Sequence, residues 1–459
     1  MDFSKKKILI CGMGRSGIAS AIILKKIGAK IIICDKREKN DLNLNENLLD
    51  VDFCLQKDMD KKIIDDLDLI ILSPGVKNDL DFLVYAREKN IKIWAEIELA
   101  YKIGFKKKII GITGTNGKTT VTSLVGEIIK KYDKNSFVGG NIGVALTQKI
   151  LDLDLINKKN WDLERLIVAE ISNLQLENIE LFKPKVSVIL NITPDHLDWH
   201  KTFENYVCAK ERIFENQDEN DFCVLNFDDD VCKKLVNKIK AKIVFFSVKE
   251  KLDSGVYLDK NKIVIKKNNS EEKIFMDISK INLLGEHNIY NVLATIGICC
   301  CVGVDLKIIY DGIINFKAVA HRLEFVREIN GIKFYNDSKA TNVDAGIKAL
   351  EALKDKNIIL IGGGYDKKND FYDWIKKFND VKKLILIGEV KNKIAKQCDE
   401  LGFKNYYVCE DDLELAIKKA IEFGESGDYV LLSPACASWD MFKNFEERGD
   451  MFKKIINKM

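Results

Sequence analysis

Residues 109–120 read Ile-Ile-Gly-Ile-Thr-Gly-Thr-Asn-Gly-Lys-Thr-Thr. An apolar run leads into a glycine-rich turn, and Lys118 with Thr119 then opens a helix. Few folds accommodate that order: the run must be a buried strand whose turn hands the chain straight to a helix. Such a turn lets backbone N–H groups converge on an anion, and the helix N-terminus adds a favourable field. Gly114, Thr115, Asn116 and Gly117 form the turn, which reads as a phosphate cradle. Lys118 is expected to reach the β- and γ-phosphates of a nucleotide, and Thr119, followed by Thr120, to enter a Mg²⁺ shell. The usual spacing wants glycine at position 112, where this chain has Ile112. The plainer alternative is a turn that only caps a helix.

A second turn of this kind lies near the N-terminus. Lys7 to Cys11 reads as a strand, Gly12-Met13-Gly14-Arg15-Ser16-Gly17 as the turn, Ile18 to Ile27 as a helix, and Lys30 to Cys34 as the next strand, ending at Asp35. This matches the Rossmann fingerprint with its acidic residue. Alone it fits a dinucleotide, or a helix–sheet layer whose glycines serve close packing. The apolar run Leu67 to Leu72 ends in Ser73-Pro74-Gly75, another turn near which phosphate could sit.

Further apolar runs, Leu166 to Ala169 and Val186 to Leu190, end in Glu170 and Asn191. Ligands gather at the carboxyl ends of parallel strands, so both residues are expected to face the cradle. From about 319 the alternation restarts, with Ile358 to Ile361 before Gly362-Gly-Gly-Tyr-Asp-Lys367, then Leu384 to Ile387 and Val430 to Leu432. The expectation is an α/β chain of three domains. Residues 1–98 form a Rossmann-like domain, 99–318 a central P-loop ATPase-like domain, and 319–459 a second Rossmann-like domain.

Composition narrows the partners. A net charge of +3 on 459 residues does not favour nucleic acid or an acidic membrane surface. No apolar stretch has bilayer length, and Met1 to Lys7 lacks a signal-peptide pattern. The 12 cysteines form no Cys-x-x-Cys pair and read as reduced thiols of a cytoplasmic protein.

Several residues outside the turns suggest chemistry. Glu170 sits where a P-loop enzyme holds its metal carboxylate, though a strand-end acid is commonly a cap or surface charge. Asn191-Ile-Thr-Pro-Asp195-His196-Leu-Asp198 is a polar cluster past a buried strand, open to a metal, phosphate or structural reading. Lys210 lies on the apolar stripe of a helix carrying Phe203, Tyr206, Val207, Ile213 and Phe214. An ammonium there must snorkel, pair or lose its charge; a neutral amine near metal ions could take up CO₂ as a carbamate. Gly285-Glu-His287-Asn288-Ile-Tyr-Asn291 opens a helix and could cap it or read an adenine edge. His321-Arg322 and Asn336-Asp337-Ser338-Lys339-Ala-Thr341 add charge and hydrogen-bonding groups to the third domain.

In this order the motifs resemble the Mur ligase family of peptidoglycan synthesis, over nearly the whole chain. Shared features are the Gly-x-x-Gly-Thr-Asn-Gly-Lys-Thr loop, in which Ile112 is family-typical, then Glu170, His196, Lys210 and Gly-x-His-Asn with Asn291. Two segments are similar to the member that adds D-glutamate: Asn336-Asp-Ser-Lys-Ala-Thr-Asn342, and Leu432-Ser-Pro-Ala-Cys-Ala-Ser-Trp-Asp-Met-Phe-Lys-Asn-Phe-Glu-Glu-Arg-Gly449.

The resemblance implies an ATP-dependent amide ligase, a cytoplasmic monomer, acting on UDP-N-acetylmuramoyl-L-alanine (UDP-MurNAc-L-Ala) and D-glutamate. The acid would be activated as an acyl phosphate, over which the third domain closes. It implies that Lys118, Thr119, Glu170 and His196 serve ATP and two Mg²⁺ ions, with Lys210 carrying a CO₂-derived carbamate as a further metal ligand. Asn141 would contact the γ-phosphate or the sugar nucleotide, and Asn291, Arg322, Asp337 and Lys339 the ATP. Gly14, Arg15, Ser16, Asp35, Arg37, Ser73 and Gly75 would hold the UDP moiety. Thr341, Lys367, Ser438, Trp439 and Phe445 would form the D-glutamate pocket, Ser438 starting the helix that carries Phe445. Departures from the family pattern are Asn173-Leu174 after Glu170, Trp439 for a usual leucine, and Lys36 beside the uracil-side loop. Rival readings account for less: an NAD oxidoreductase leaves Lys118 idle, a P-loop switch leaves Lys339 and Ser438 idle, and a folylpolyglutamate ligase has no use for a UDP-type domain.

Overall fold

Runs of Ile, Leu and Val bounded by glycine turns build three sheets, with helices between successive parallel strands. The computed structural model describes residues 2–42, 44, 46–104, 108–155, 165–267, 271–283, 285–316 and 320–459, apart from the Asp198 side chain. The expected domain limit at 318/319 lies outside the described residues.

The first sheet runs Asp52–Leu55, Lys30–Asp35, Lys7–Cys11, Leu69–Leu72, Lys92–Ala95, all parallel. Strand order reverses beside Lys7–Cys11, so a crevice opens at the carboxyl end of that strand. Alternate residues serve two cores: Ile8 and Ile10 pack with Leu24 and Ile33, while Leu9 and Cys11 pack with Ile64 and Leu83. The following helix, Arg15–Lys26, starts inside the turn rather than at Ile18. Gly17 permits this, because a Cβ there would strike the Gly12 carbonyl.

The second sheet has nine strands among the described residues. Its parallel centre is Phe222–Asn226, Val186–Ile189, Ile109–Thr113, Ile167–Glu170, Phe137–Gly140. The cradle strand therefore lies in the middle, buried along its whole length. The third sheet runs Glu324–Ile329, Ile332–Asn336, Tyr429–Leu432, Ile358–Gly362, Val381–Leu386, Tyr406–Val408, antiparallel only at its first pair. Its faces again alternate: Ile358 and Leu360 pack with Trp374, and Ile359 and Ile361 with Phe452. The chain divides into two compact units, Met1–Lys280 with Tyr290–Asn315, and Ile281–Ile289 with Phe316–Met459. The first unit carries two sheets and the second carries the third.

Candidate active site

The cradle forms where three parallel strands end together. Ile109–Thr113 lies between Ile167–Glu170 and Val186–Ile189, so Glu170 and Asn191 flank the turn that begins at Gly114. Gly117 takes φ +84° as the N-cap of helix Lys118–Tyr132, and any side chain there would strike Asn291 Oδ1. Asn191 braces the turn from the other side. Its carbonyl accepts Thr115 N at 2.9 Å, and its Oδ1 accepts Asn116 N at 2.9 Å.

Two lysines converge on one carbonyl. Lys118 Nζ donates to Gly114 O at 2.8 Å, and Lys210 Nζ donates to the same oxygen at 3.0 Å. Lys210 is fully buried on helix Phe203–Glu211. Burial, then the Lys118 charge, pushes its pKa well below the ordinary lysine value, with Asp195 opposing. Tyr206 is one turn earlier on the same face. Its ring lies 4.7 Å from Lys210 Nζ, and its hydroxyl lies 3.0 Å from Thr115 Oγ1.

Glu170 is buried beside this cluster. Its Oε1 accepts Asn141 Nδ2 at 2.8 Å, and its Oε2 has no hydrogen-bond partner among the described residues. A buried unpartnered carboxylate oxygen is costly unless something arrives to meet it. Thr119 is buried at the first turn of the cradle helix. Glu170 and Thr119 thus offer the oxygen donors that Mg²⁺ prefers alongside phosphate oxygens and water. Among the described residues no group of three His, Cys, Asp or Glu could hold a metal by itself. His196 is half exposed, at φ +51° with Nε2 3.7 Å from Asp195 Oδ2, and its ring lies 6.5 Å from that of Tyr206. The Asp198 side chain lies outside the described residues.

A cavity of about 700 Å³ opens at the crevice of the first sheet. Gly14, Arg15, Ser16, Asp35, Arg37, Ser73, Gly75 and Asn141 all line it. Gly14 leaves open space where a Cβ would sit. Asp35 accepts Met13 N at 2.7 Å and both the Arg37 backbone N and Nε at 3.0 Å. Burial alone would raise its pKa, but the bonds from Arg37 and Met13 outweigh that and hold it at about 2.

In the second unit, Asp337 is buried just past Ile332–Asn336. It accepts Ser433 Oγ at 2.8 Å and Leu323 N at 3.2 Å. Burial raises its pKa to about 7, with Arg322 foremost among the opposing groups. Arg322 also bears on His287, whose pKa burial lowers to about 4. Lys339 Nζ lies 5.4 Å from the Phe445 ring, and Thr341, half-buried, donates its N–H to Lys339 O at 2.9 Å. Lys367 Nζ lies 5.1 Å from the Trp439 ring, and Trp439 packs on Tyr365. Ser438 is buried, its Oγ without a partner among the described residues. The structure therefore groups Arg322, Asp337, Lys339, Thr341, Lys367, Ser438, Trp439 and Phe445 in one unit, while Asn291 stands against the cradle in the other.

The chain matches three family models in succession: "Mur ligase MurD-like, N-terminal domain" over residues 6–95, "Mur ligase middle domain" over 112–299, and "Mur ligase, glutamate ligase domain" over 321–436. It is 48% identical over 466 residues to a UDP-N-acetylmuramoylalanine–D-glutamate ligase of Thermoanaerobacter sp. (strain X514), covering 99% of each chain.

The chain belongs to the Mur ligase family.

A relative of the same name from Clostridioides difficile (strain 630) is 42% identical over 465 residues, covering 100% of each. Among solved structures, UDP-N-acetylmuramate–alanine ligase MurC of Thermotoga maritima aligns with TM-score 0.60 at 19% identity, over 99% of each chain. MurF ligase of Thermotoga maritima in complex with ADP aligns with TM-score 0.58 at 18% identity, over 100% of this chain and 96% of that one. These likenesses carry the Mur ligase fold.

Within that fold one local expectation is corrected. Ser438 does not start a helix: helix Phe445–Lys458 is capped by Asn444, whose side chain accepts Glu447 N at 2.8 Å. Asn444 has the acidic first turn that suits an N-cap, whereas Ser438 sits in the preceding loop. Ser172, two residues after Glu170, forms a capping box with Gln175 for helix Asn173–Leu176. Two further residues had no sequence signal strong enough to single them out. Gln175 lines the large cavity. His200 is buried, 3.3 Å from Glu177 Oε1 and edge-on to Tyr206 at 5.4 Å; its burial depends on packing distant in sequence.

Proposed function

We infer that this chain is an ATP-dependent ligase joining D-glutamate to UDP-MurNAc-L-Ala through an acyl phosphate, in peptidoglycan precursor synthesis. The observation that carries the reading is Asn141, which both lines the 700 Å³ cavity and bonds Glu170 beside the phosphate cradle. A carboxylic acid whose nucleotide end fills the cavity is thereby delivered to the γ-phosphate. The name borne by relatives 42–48% identical over the full chain supports the two substrates.

The roles follow from position. The cradle, Gly114 to Thr120, holds the ATP phosphates, and the Lys118 ammonium stabilises charge on the transferring phosphoryl group. Thr119 and Glu170, with His196 in reach of Lys210's aromatic neighbour, are the residues that would hold Mg²⁺. Mg²⁺ held there would supply positive charge to offset the phosphate oxygens. Asn291, Arg322, Asp337 and Lys339 serve the nucleotide. Gly14, Arg15, Ser16, Asp35, Arg37, Ser73 and Gly75 hold the UDP end, with Asn141 at the inner wall. Thr341, Lys367, Ser438, Trp439 and Phe445 receive D-glutamate. The buried Ser438 hydroxyl and the Lys367 ammonium suit its two carboxylates, and its amine displaces phosphate to leave the amide.

Lys210 completes the set as a carbamate. Complete burial and the neighbouring Lys118 favour its neutral amine, whose nitrogen bonds CO₂ while its proton leaves to solvent. An anionic oxygen ligand then replaces a buried cation. The three domains fall at 1–98, 99–318 and 319–459, a division supported by family-model matches that end at 95 and 299 and resume at 112 and 321. The enzyme works as a cytoplasmic monomer; its ATP requirement and 12 free cysteines support that compartment, and light scattering tests the monomer.

The deciding experiment is phosphate release with ATP, Mg²⁺ and UDP-MurNAc-L-Ala, supplying amino acids one at a time. D-Glutamate alone should support turnover. Equal or faster release with L-lysine or meso-diaminopimelate would overturn the assignment.

A further inference from the structure

Among the described residues Arg448 is the most thoroughly enclosed cation of the second unit, 2% exposed. No carboxylate forms an ion pair with it among the described residues. Its guanidinium hydrogen bonds go instead to two loops. Nε donates to Ser338 Oγ at 2.9 Å and Nη2 to Ser338 O at 2.9 Å. Nη2 also reaches Cys436 O at 3.1 Å, and Nη1 reaches Ala437 O at 3.4 Å. Ser338 Oγ in turn donates to Phe445 O at 2.8 Å. Burial lowers the Arg448 pKa to about 10, so it stays charged at neutral pH.

Asp440 and Asp337 act on it only from beyond ion-pair distance, and a buried charge held in that way adds little stability; an apolar side chain of similar volume commonly serves the core as well. What a guanidinium adds is geometry, because its planar fork fixes several acceptors at once. The acceptors here are chosen by position. Ser338 stands between Asp337 and Lys339, at the end of Ile332–Asn336. Cys436 and Ala437 immediately precede Ser438 and Trp439, past the end of the paired strand Tyr429–Leu432. A second tie, Ser433 Oγ to Asp337 at 2.8 Å, joins the same loops nearer the sheet.

We propose that Arg448 is a positioning residue that fixes the spacing between the loop carrying Asp337 and Lys339 and the loop carrying Ser438 and Trp439. The inference rests on the reading above, in which the first loop serves ATP and the second D-glutamate. Both substrates then depend on a residue that touches neither. Attack on an acyl phosphate tolerates little displacement of the amine, so a slack brace is felt in rate as well as in binding.

The test is steady-state kinetics of the full-length enzyme. Arg448→Lys keeps the charge but offers one point where a fork spans two loops. KM for D-glutamate and for ATP should both rise, by about tenfold, with kcat falling by a similar factor. In Arg448→Ala, millimolar guanidinium chloride should restore part of the turnover, and ammonium chloride at the same concentration should not. A role confined to stability would lower the melting temperature and soluble yield while leaving both KM values as in the wild type, and that result overturns the proposal. If neither Arg448 variant folds, Ser338→Ala carries the test. It removes the hydroxyl that accepts Nε, and both KM values should rise by about threefold; unchanged values refute the brace. Failure of the functional reading is recognisable separately, as wild-type enzyme that releases no phosphate in response to D-glutamate.

Discussion

Asp35→Asn probes the wall of the sugar-nucleotide cavity with little change of shape. The Asp35 side chain is 7% exposed and accepts four hydrogen bonds of 2.7–3.2 Å from Met13 and Arg37. An amide turns one of its acceptor oxygens into a donor that faces another donor. Losing one charge-assisted hydrogen bond costs about 1.5–3 kcal/mol. Acid linkage gives an independent figure. A carboxyl moved from 3.8 to about 2 gains roughly 2.4 kcal/mol, and since Arg37 is 48% exposed, screening reduces this to ~1–2 kcal/mol. Because the folded pKa lies below the unfolded one, the contribution is complete above about pH 5 and fades as pH falls from about 4 towards 2. Urea unfolding at neutral pH should therefore find Asp35→Asn less stable by ~1–2 kcal/mol, and KM for the sugar nucleotide should rise. The gap between wild type and variant should shrink by roughly 0.5–1 kcal/mol between about pH 5 and about pH 3. A gap that stays constant over that range, or one absent at neutral pH, would refute the reasoning.

Lys118→Ala should lower turnover by about 10²–10³-fold or more, by removing charge stabilisation of phosphoryl transfer; near-normal phosphate release would reject the cradle assignment. Lys210→Ala should be nearly inactive and regain part of its turnover with short-chain carboxylates that supply the missing oxygens. Mass spectrometry showing an unmodified amine in active, metal-loaded enzyme would sink the carbamate. Trp439→Leu removes the ring 5.1 Å from Lys367 Nζ, an exposed cation–π contact of about 0.5–1 kcal/mol, so KM for D-glutamate should rise by roughly 2- to 5-fold, more than kcat falls. An unaltered KM would take the indole out of the pocket.

The parts of the fold that were legible are those fixed locally. Glycine turns after Ile-rich runs located the strands Lys7–Cys11, Ile109–Thr113 and Ile358–Gly362 almost to the residue, because a buried parallel strand is apolar throughout and must stop at a turn. Lys210 was legible because a charge on an apolar helical stripe is anomalous in sequence. Ser438 misled for the converse reason. Serine favours N-caps, but Asn444 with Glu446 and Glu447 behind it made the stronger start, and local propensity cannot rank two caps in one loop. Arg448 and His200 were illegible as buried groups. Their partners are Ser338, 110 residues away, and Asn173, 27 residues away, and no local period encodes such packing.

The buried charges of the two units share a common placement. Glu170 ends Ile167–Glu170, and Asp337 follows Ile332–Asn336; Lys210 and Arg448 reach carbonyls in turns that follow neighbouring strands. At the carboxyl end of a parallel strand the ladder stops, leaving backbone carbonyls and N–H groups that are buried but not yet paired. Those groups can accept a lysine or arginine that the core would otherwise reject. The same groups are what a phosphate or carboxylate ligand must meet, so each buried charge holds in place the edge on which binding depends. Gly114 makes the point at one atom: its carbonyl holds both Lys118 and Lys210, and a ligand that draws Lys118 away changes the field at Lys210. Phosphate binding and the state of the buried lysine are coupled through the Lys118 charge, whose repulsion lowers the Lys210 pKa, which is why Lys118→Ala should also make the Lys210 amine more basic.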